Sequence, residues 1–226
     1  MGHNPLMIYF AGGLFHLKEL LGNAALAAAI SDVSEKRLQC VMPQSLEQRD
    51  TTPVSIRNQD LLELMRCDLG LFHFDGTELD SGTVVEFMVA KFLDIPAVIV
   101  RSDFRAAGDG GDPWNLMASF YPRTRNVICD SMAMFQKHLR ASGVSSLSVD
   151  AAAAANEACL SANRDLATMI VSAFDEVIAM PPVLHSAERE AVYQWVGKAV
   201  GGRFDEVLSP AALVELCKQK AQRGLL

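Results

Sequence analysis

No stretch of this sequence stays apolar for the ~18 residues that a membrane-spanning helix needs, so nothing in it predicts a span. No run of Lys and Arg stands out either, and the formal net charge is -7. A nucleic-acid polymer is gripped by clustered cations that neutralise its phosphates, so that partner class is excluded. Single nucleosides and nucleotides are not. Cysteine is sparse: Cys40, Cys67, Cys129, Cys159 and Cys217 are scattered, with no CxxC pair and no Cys/His spacing suited to zinc. An odd, dispersed set predicts buried free thiols in a reducing compartment rather than a disulfide framework, and no metal site. The chain opens on a strand-like run without a charged-then-apolar leader, which predicts a cytoplasmic protein. The spaced GxGxxG pattern is missing too, which leaves a nicotinamide or flavin reading weak.

What is present is a chain of 226 residues, 50% of them hydrophobic, enough for one good domain with an appendage or two small ones. Short apolar runs at 6–11, 38–42, 69–74, 95–100 and 126–129 read as strands. Segments with helical periodicity lie between and after them, at 17–31, 55–66, 81–91 and 131–139. Five strands alternating with helices predict a flavodoxin-like α/β fold, a doubly wound five-stranded parallel sheet. Loops at 43–53 and 106–112 are polar or Gly-rich, and the first is a candidate lid. The chain changes character near Ser142. We expect a catalytic domain over 1–141 and a helical extension over 142–226, with helices at 149–179, 186–200 and 210–223. The last has Ser209 as N-cap and Pro210 in its first turn. His185 and Trp195 in the extension read as packing residues, and no function follows from the extension's sequence.

Chemistry concentrates in one stretch, Phe74-Asp75-Gly76-Thr-Glu-Leu-Asp80-Ser-Gly82-Thr-Val-Val-Glu86. A strand ends at Asp75-Gly76, where glycine permits a sharp exit, and Ser81-Gly82-Thr83 offers a hydroxyl N-cap for the next helix. Asp75, Asp80 and Glu86 therefore gather at the carboxyl end of one strand and the first turns of the following helix. Ligands of open α/β sheets sit there, and crowded carboxylates there divide nucleophile and acid roles between them. Each residue also has a plainer reading. Asp75 and Asp80 suit turns, Glu86 suits a helix surface, Tyr9 suits a strand core, and Gly12-Gly13 suits a tight turn as well as a close approach of backbone to a sugar.

The same stretch resembles the signature of the nucleoside 2-deoxyribosyltransferase family. The resemblance extends, in order, to Ile8-Tyr9-Phe10-Ala11-Gly12-Gly13-Leu14-Phe15, Ile56-x-x-x-Asp60, Cys67-Asp68, Ser102-Asp103-x-Arg105 and Asn115-Leu116-Met117. It implies that Glu86 is the nucleophile, oriented by Tyr9, that Asp75 protonates or holds the departing base, and that Asp80 assists. It further implies that Gly12, Gly13, Phe15 and Gly82 contact substrate, and that Asn115 and Met117 reach into a neighbouring subunit's pocket of a homo-oligomer. Asp60 enters only as a residue near the pocket. The expected activity is transfer of 2-deoxyribose between nucleobases, without cofactor, with slow hydrolysis when water substitutes. The alternatives are an N-glycosidase of 2-deoxynucleoside 5′-monophosphates and a non-catalytic nucleoside or nucleotide sensor. The monophosphate branch needs Ser and Arg donors after the first strand, where this chain has Ala11-Gly-Gly-Leu-Phe-His16, although Ser81 or Thr83 are left as possible phosphate ligands.

Overall fold

The computed structural model describes residues 4–46, 52–103, 105, 114–144 and 150–226. The loop expected at 106–112 and residues 47–51 of the candidate lid at 43–53 fall outside them. Five strands form one sheet: β1 (Leu6–Gly12), β2 (Leu38–Val41), β3 (Leu69–His73), β4 (Ala97–Arg101) and β5 (Thr124–Ile128). All pairings are parallel, in the order β2-β1-β3-β4-β5. This is the flavodoxin-like arrangement, with its switch point between β1 and β3, and their carboxyl ends open the crevice.

Side chains alternate along each strand and feed two cores. On one face, Tyr9, Phe72, Phe74 and Ile99 pack with α2 (Pro53–Arg66), α3 (Ser81–Phe92), α6 (Arg189–Ala199), α7 (Phe204–Val207) and α8 (Pro210–Gln222). On the other, Ile8, Phe10, Leu71, Val98 and Val100 pack with α1 (Leu17–Val33) and α5 (Ala151–Ile178). Between β5 and α5 lies α4 (Ser131–Ala141), which packs against α5.

Residues beyond 142 thus supply core on both faces of the sheet. Leu166, Ile170 and Phe174 of α5 are buried in the second core, where the helix packs on β4, β5 and α1. Polar ties fasten the rest. Arg223 grips the buried Asp68 carboxylate through bonds of 2.6 and 3.0 Å, and Asp68 also accepts the Met7 amide at 2.9 Å. Lys220 donates to the Cys67 carbonyl, and Asn58 reaches the Gly202 carbonyl at 2.7 Å. Trp195 is 57% exposed and meets Phe92 edge-on, and His185 is exposed, so neither fills the core. The cysteines are all free; Cys67 and Cys217 are buried, but Cys159 is exposed. No described helix is long and apolar enough to cross a membrane.

Candidate active site

Tyr9 is fully buried on β1, and its hydroxyl donates to Glu86 Oε1 at 2.6 Å. One residue belongs to the strand before the switch point and the other to the helix after β3, so the bond closes the crevice between them. Glu86 is the sixth residue of α3, beyond the first turn where a helix dipole would favour its anion. Burial dominates instead. It pushes the carboxyl up to about 7; the Tyr9 bond pulls the other way, and the fields of Asp60 and Asp80 add to the rise. Burial and the Glu86 charge also push the Tyr9 phenol far upward, so it remains a protonated donor.

Asp60, on α2, is the residue that sequence reasoning undervalued. Burial raises its carboxyl to about 6, and its field acts on both Tyr9 and Glu86. The signal was its place in the resemblance; nothing in the local sequence reveals that α2 turns this carboxylate toward the pair. Two elevated carboxyls and one phenol therefore form a coupled group, suited to a nucleophile and a proton donor working near neutral pH.

Asp75 is differently placed. Its Oδ1 accepts the amides of Ser102 at 2.6 Å and Asp103 at 3.0 Å. Its Oδ2 meets His73 Nε2 at 2.8 Å and accepts the Ser102 hydroxyl. Burial alone would raise this carboxyl, but the His73 and Ser102 contacts outweigh it and bring it down to about 2. Such a group is ionised at neutral pH and ties the end of β3 to the end of β4. Asp103 is paired with Arg105 in the same loop.

Asp80, rather than the hydroxyl expected at Ser81-Gly82-Thr83, is the N-cap of α3. Its Oδ2 takes the Thr83 amide at 2.8 Å and the Thr83 hydroxyl at 2.7 Å. An anionic acceptor suits the positive helix end better than a hydroxyl does. Gly82 sits beneath this cap, where an added Cβ would stand 3.2 Å from Asp80 Oδ2. Gly12 is the last residue of β1, beside His73, where a Cβ would stand 3.1 Å from the His73 Cβ. Asn115 turns its side-chain oxygen onto the amides of Met117 at 3.0 Å and Ala118 at 3.2 Å, while Met117 is 75% exposed. Within one chain, neither joins Glu86.

A cleft of about 1010 Å³ opens at the carboxyl ends of the strands, with Gly13, Phe15, Asp75 and Asp80 in its walls and α4 and α5 on its far side. Glu86 and Tyr9 are not among its lining residues. Asp80 links the two regions, since it lines the cleft and caps the helix that carries Glu86. The hydrogen-bonded pair therefore lies behind the walls of the cavity rather than in them. No group of three or more His, Cys, Asp or Glu among the described residues is placed to hold a metal ion.

Residues 8–117 match the sequence model of the nucleoside 2-deoxyribosyltransferase family. The match contains Tyr9, Asp60, Asp75, Asp80, Glu86, Asn115 and Met117, and is to the family that the signature resembles. The matched segment ends before β5, so β5 and α4 to α8 lie outside it. Among solved structures, "conserved protein from Enterococcus faecalis V583" is 25% identical, with a TM-score of 0.43, covering 50% of this chain and 84% of that one. A search of curated proteins finds no match.

Proposed function

We propose that the protein transfers 2-deoxyribose between nucleobases by way of a deoxyribosyl ester on Glu86. The observation that carries this reading is the Tyr9–Glu86 bond across the switch point, inside the segment that matches the transferase family. The Glu86 carboxylate attacks the anomeric carbon as the N-glycosidic bond breaks through an oxocarbenium-like state. The bonding pair leaves with the base, which takes a proton. Asp60, with its carboxyl near 6, is the better donor; Asp75, near 2, has no proton to give at neutral pH. In this reading Asp60 donates the proton, while Asp75, ionised, ties the strand ends and is left to hold the departing base. A second base then attacks the same carbon, the ester bond breaks, and configuration is retained over the two displacements. Water in place of that base gives slow hydrolysis.

Assembly belongs to the same proposal. Leu116, Met117 and Phe120 are 40%, 75% and 77% exposed on one short segment. That suits a homo-oligomer in which Asn115 and Met117 complete a neighbour's site, serving nucleoside salvage in the cytoplasm.

Incubation with deoxyinosine and adenine tests the reading. Deoxyadenosine should form, and formation should cease in Glu86→Ala. Base release from 2-deoxynucleoside 5′-monophosphates alone would favour the glycosidase, and binding without turnover would favour the sensor.

A further inference from the structure

A loop running into a helix offers its amide groups to an anion, and the cleft borders two such helix starts, those of α1 and α3. At each, a carboxylate of the chain itself takes amide groups. At the first, Glu19 of α1 folds back so that Oε2 accepts the amides of Phe15 and His16, each at 3.0 Å. Its carboxylate lies against Gly13, where a Cβ would stand 2.9 Å from Oε1. Asn23 holds the Gly13 carbonyl at 3.0 Å, and Gln44 bonds both Asn23 at 3.4 Å and the Leu20 carbonyl at 3.0 Å, which fixes the loop in this form. At the second, Asp80 takes up the amide and hydroxyl of Thr83, one of the two hydroxyl residues that the sequence leaves for a phosphate.

The surrounding charge has the same sense. Glu19 and Asp80 line the cleft together with Asp75, Glu78 and Asp103, against the cations Lys18 and Arg105, and Arg105 is engaged by Asp103. A phosphate entering here meets carboxylates and finds the Phe15, His16 and Thr83 amides already taken. Like charges at such range oppose binding by repulsion and by uncompensated desolvation. A neutral 5′-hydroxyl meets no such penalty, since carboxylates accept its hydrogen bond.

We infer that Glu19, with Asp80, is a specificity-determining residue that confines the enzyme to unphosphorylated 2-deoxynucleosides. This rests on the proposed transferase function and names its substrate class.

The test compares kcat/KM for deoxyinosine and for deoxyinosine 5′-monophosphate in the wild-type chain, Glu19→Gln and Glu19→Ala. Gln keeps an acceptor for the loop amides while removing the charge, and Ala frees the amides as well. The ratio should move toward the monophosphate by about tenfold in Glu19→Gln and further in Glu19→Ala. A ratio unchanged within about twofold, or a wild-type chain that accepts both substrates equally, overturns the inference. Should neither substrate turn over, the transferase reading falls on its own, and calorimetric titration with deoxyinosine 5′-monophosphate decides this one. Tighter binding by Glu19→Ala than by wild type supports it; equal affinity, including none, overturns it.

Discussion

Tyr9 and Glu86 lie 77 positions apart in the chain and 2.6 Å apart in the fold, joined hydroxyl to carboxylate. Because Tyr9 is the donor, the bond favours the ionised form of Glu86 and opposes part of the rise that burial imposes. Tyr9→Phe should therefore move the acid limb of the kcat/KM profile above the wild-type value near 7 and lower the plateau by about tenfold or more. An acid limb that stays in place would show that the phenol does not act on this carboxylate.

Glu86 sets function against stability. Its carboxyl titrates near 7 in the folded state against 4.5 ordinarily, so the native state holds the proton longer than the unfolded chain. Stability is undiminished below pH 4.5 and falls as pH rises from there to about 7. Glu86→Gln should gain on the order of 3 kcal/mol over wild type at pH ~8 and almost nothing at pH ~4, while losing activity. Urea unfolding at the two pH values measures both differences, and an equal gain at each would contradict the assignment.

Asp60→Asn should reduce kcat by about a hundredfold if this carboxyl protonates the departing base. The loss should shrink for a substrate whose leaving group needs no proton. Removal of Asp60's field should also lower the Glu86 limb, a shift that general unfolding would not produce. A full effect on the activated substrate would place Asp60 outside proton transfer.

Asp75 titrates near 2, below its ordinary 3.8, so its contribution to stability is present above 3.8 and is lost as pH falls toward 2. Asp75→Asn should lower Tm at neutral pH, with the deficit narrowing in acid, and should leave the acid limb of activity in place. Loss of the alkaline limb instead would return the proton-donor role to Asp75.

Phe174 is fully buried in α5, in the core that also holds Ile8, Leu71 and Val98. Phe174→Ala should cost about 3–5 kcal/mol, with activity and helix content lost in one transition. Separate transitions would mean that the extension folds apart from the sheet.

Much of this was legible in the sequence because strands buried on both faces read as compact apolar runs, and β1, β3 and β4 are such strands. The fold class and the order of elements follow from those runs. The Tyr9–Glu86 pair was legible only through the signature, since no local pattern reports a contact across 77 positions. Asp75 and Asp80 looked equivalent to Glu86 in sequence and are not: one is bound by backbone amides of the next loop, the other by its own helix. Partners brought in by tertiary structure separate three like residues into a nucleophile candidate, a strand tie and a cap. The part of α5 in the core was hidden for another reason. Its Ala-rich composition suits a surface helix and a buried one equally, and only the sheet beneath it distinguishes them.

Placement of α5 also orders events in time. A nascent chain that ends between residues 128 and 178 has made all five strands but not the whole of the helix that packs on β4, β5 and α1. Until that helix is complete, Val98 and Val100 of β4 and Val127 of β5 lack its cover, and the apolar face left open there is the kind that chaperones hold and that aggregates when they do not. The segment that matches the transferase family is finished on the ribosome long before it can complete its fold. At the usual ~5–20 residues per second, several seconds separate its synthesis from its closure.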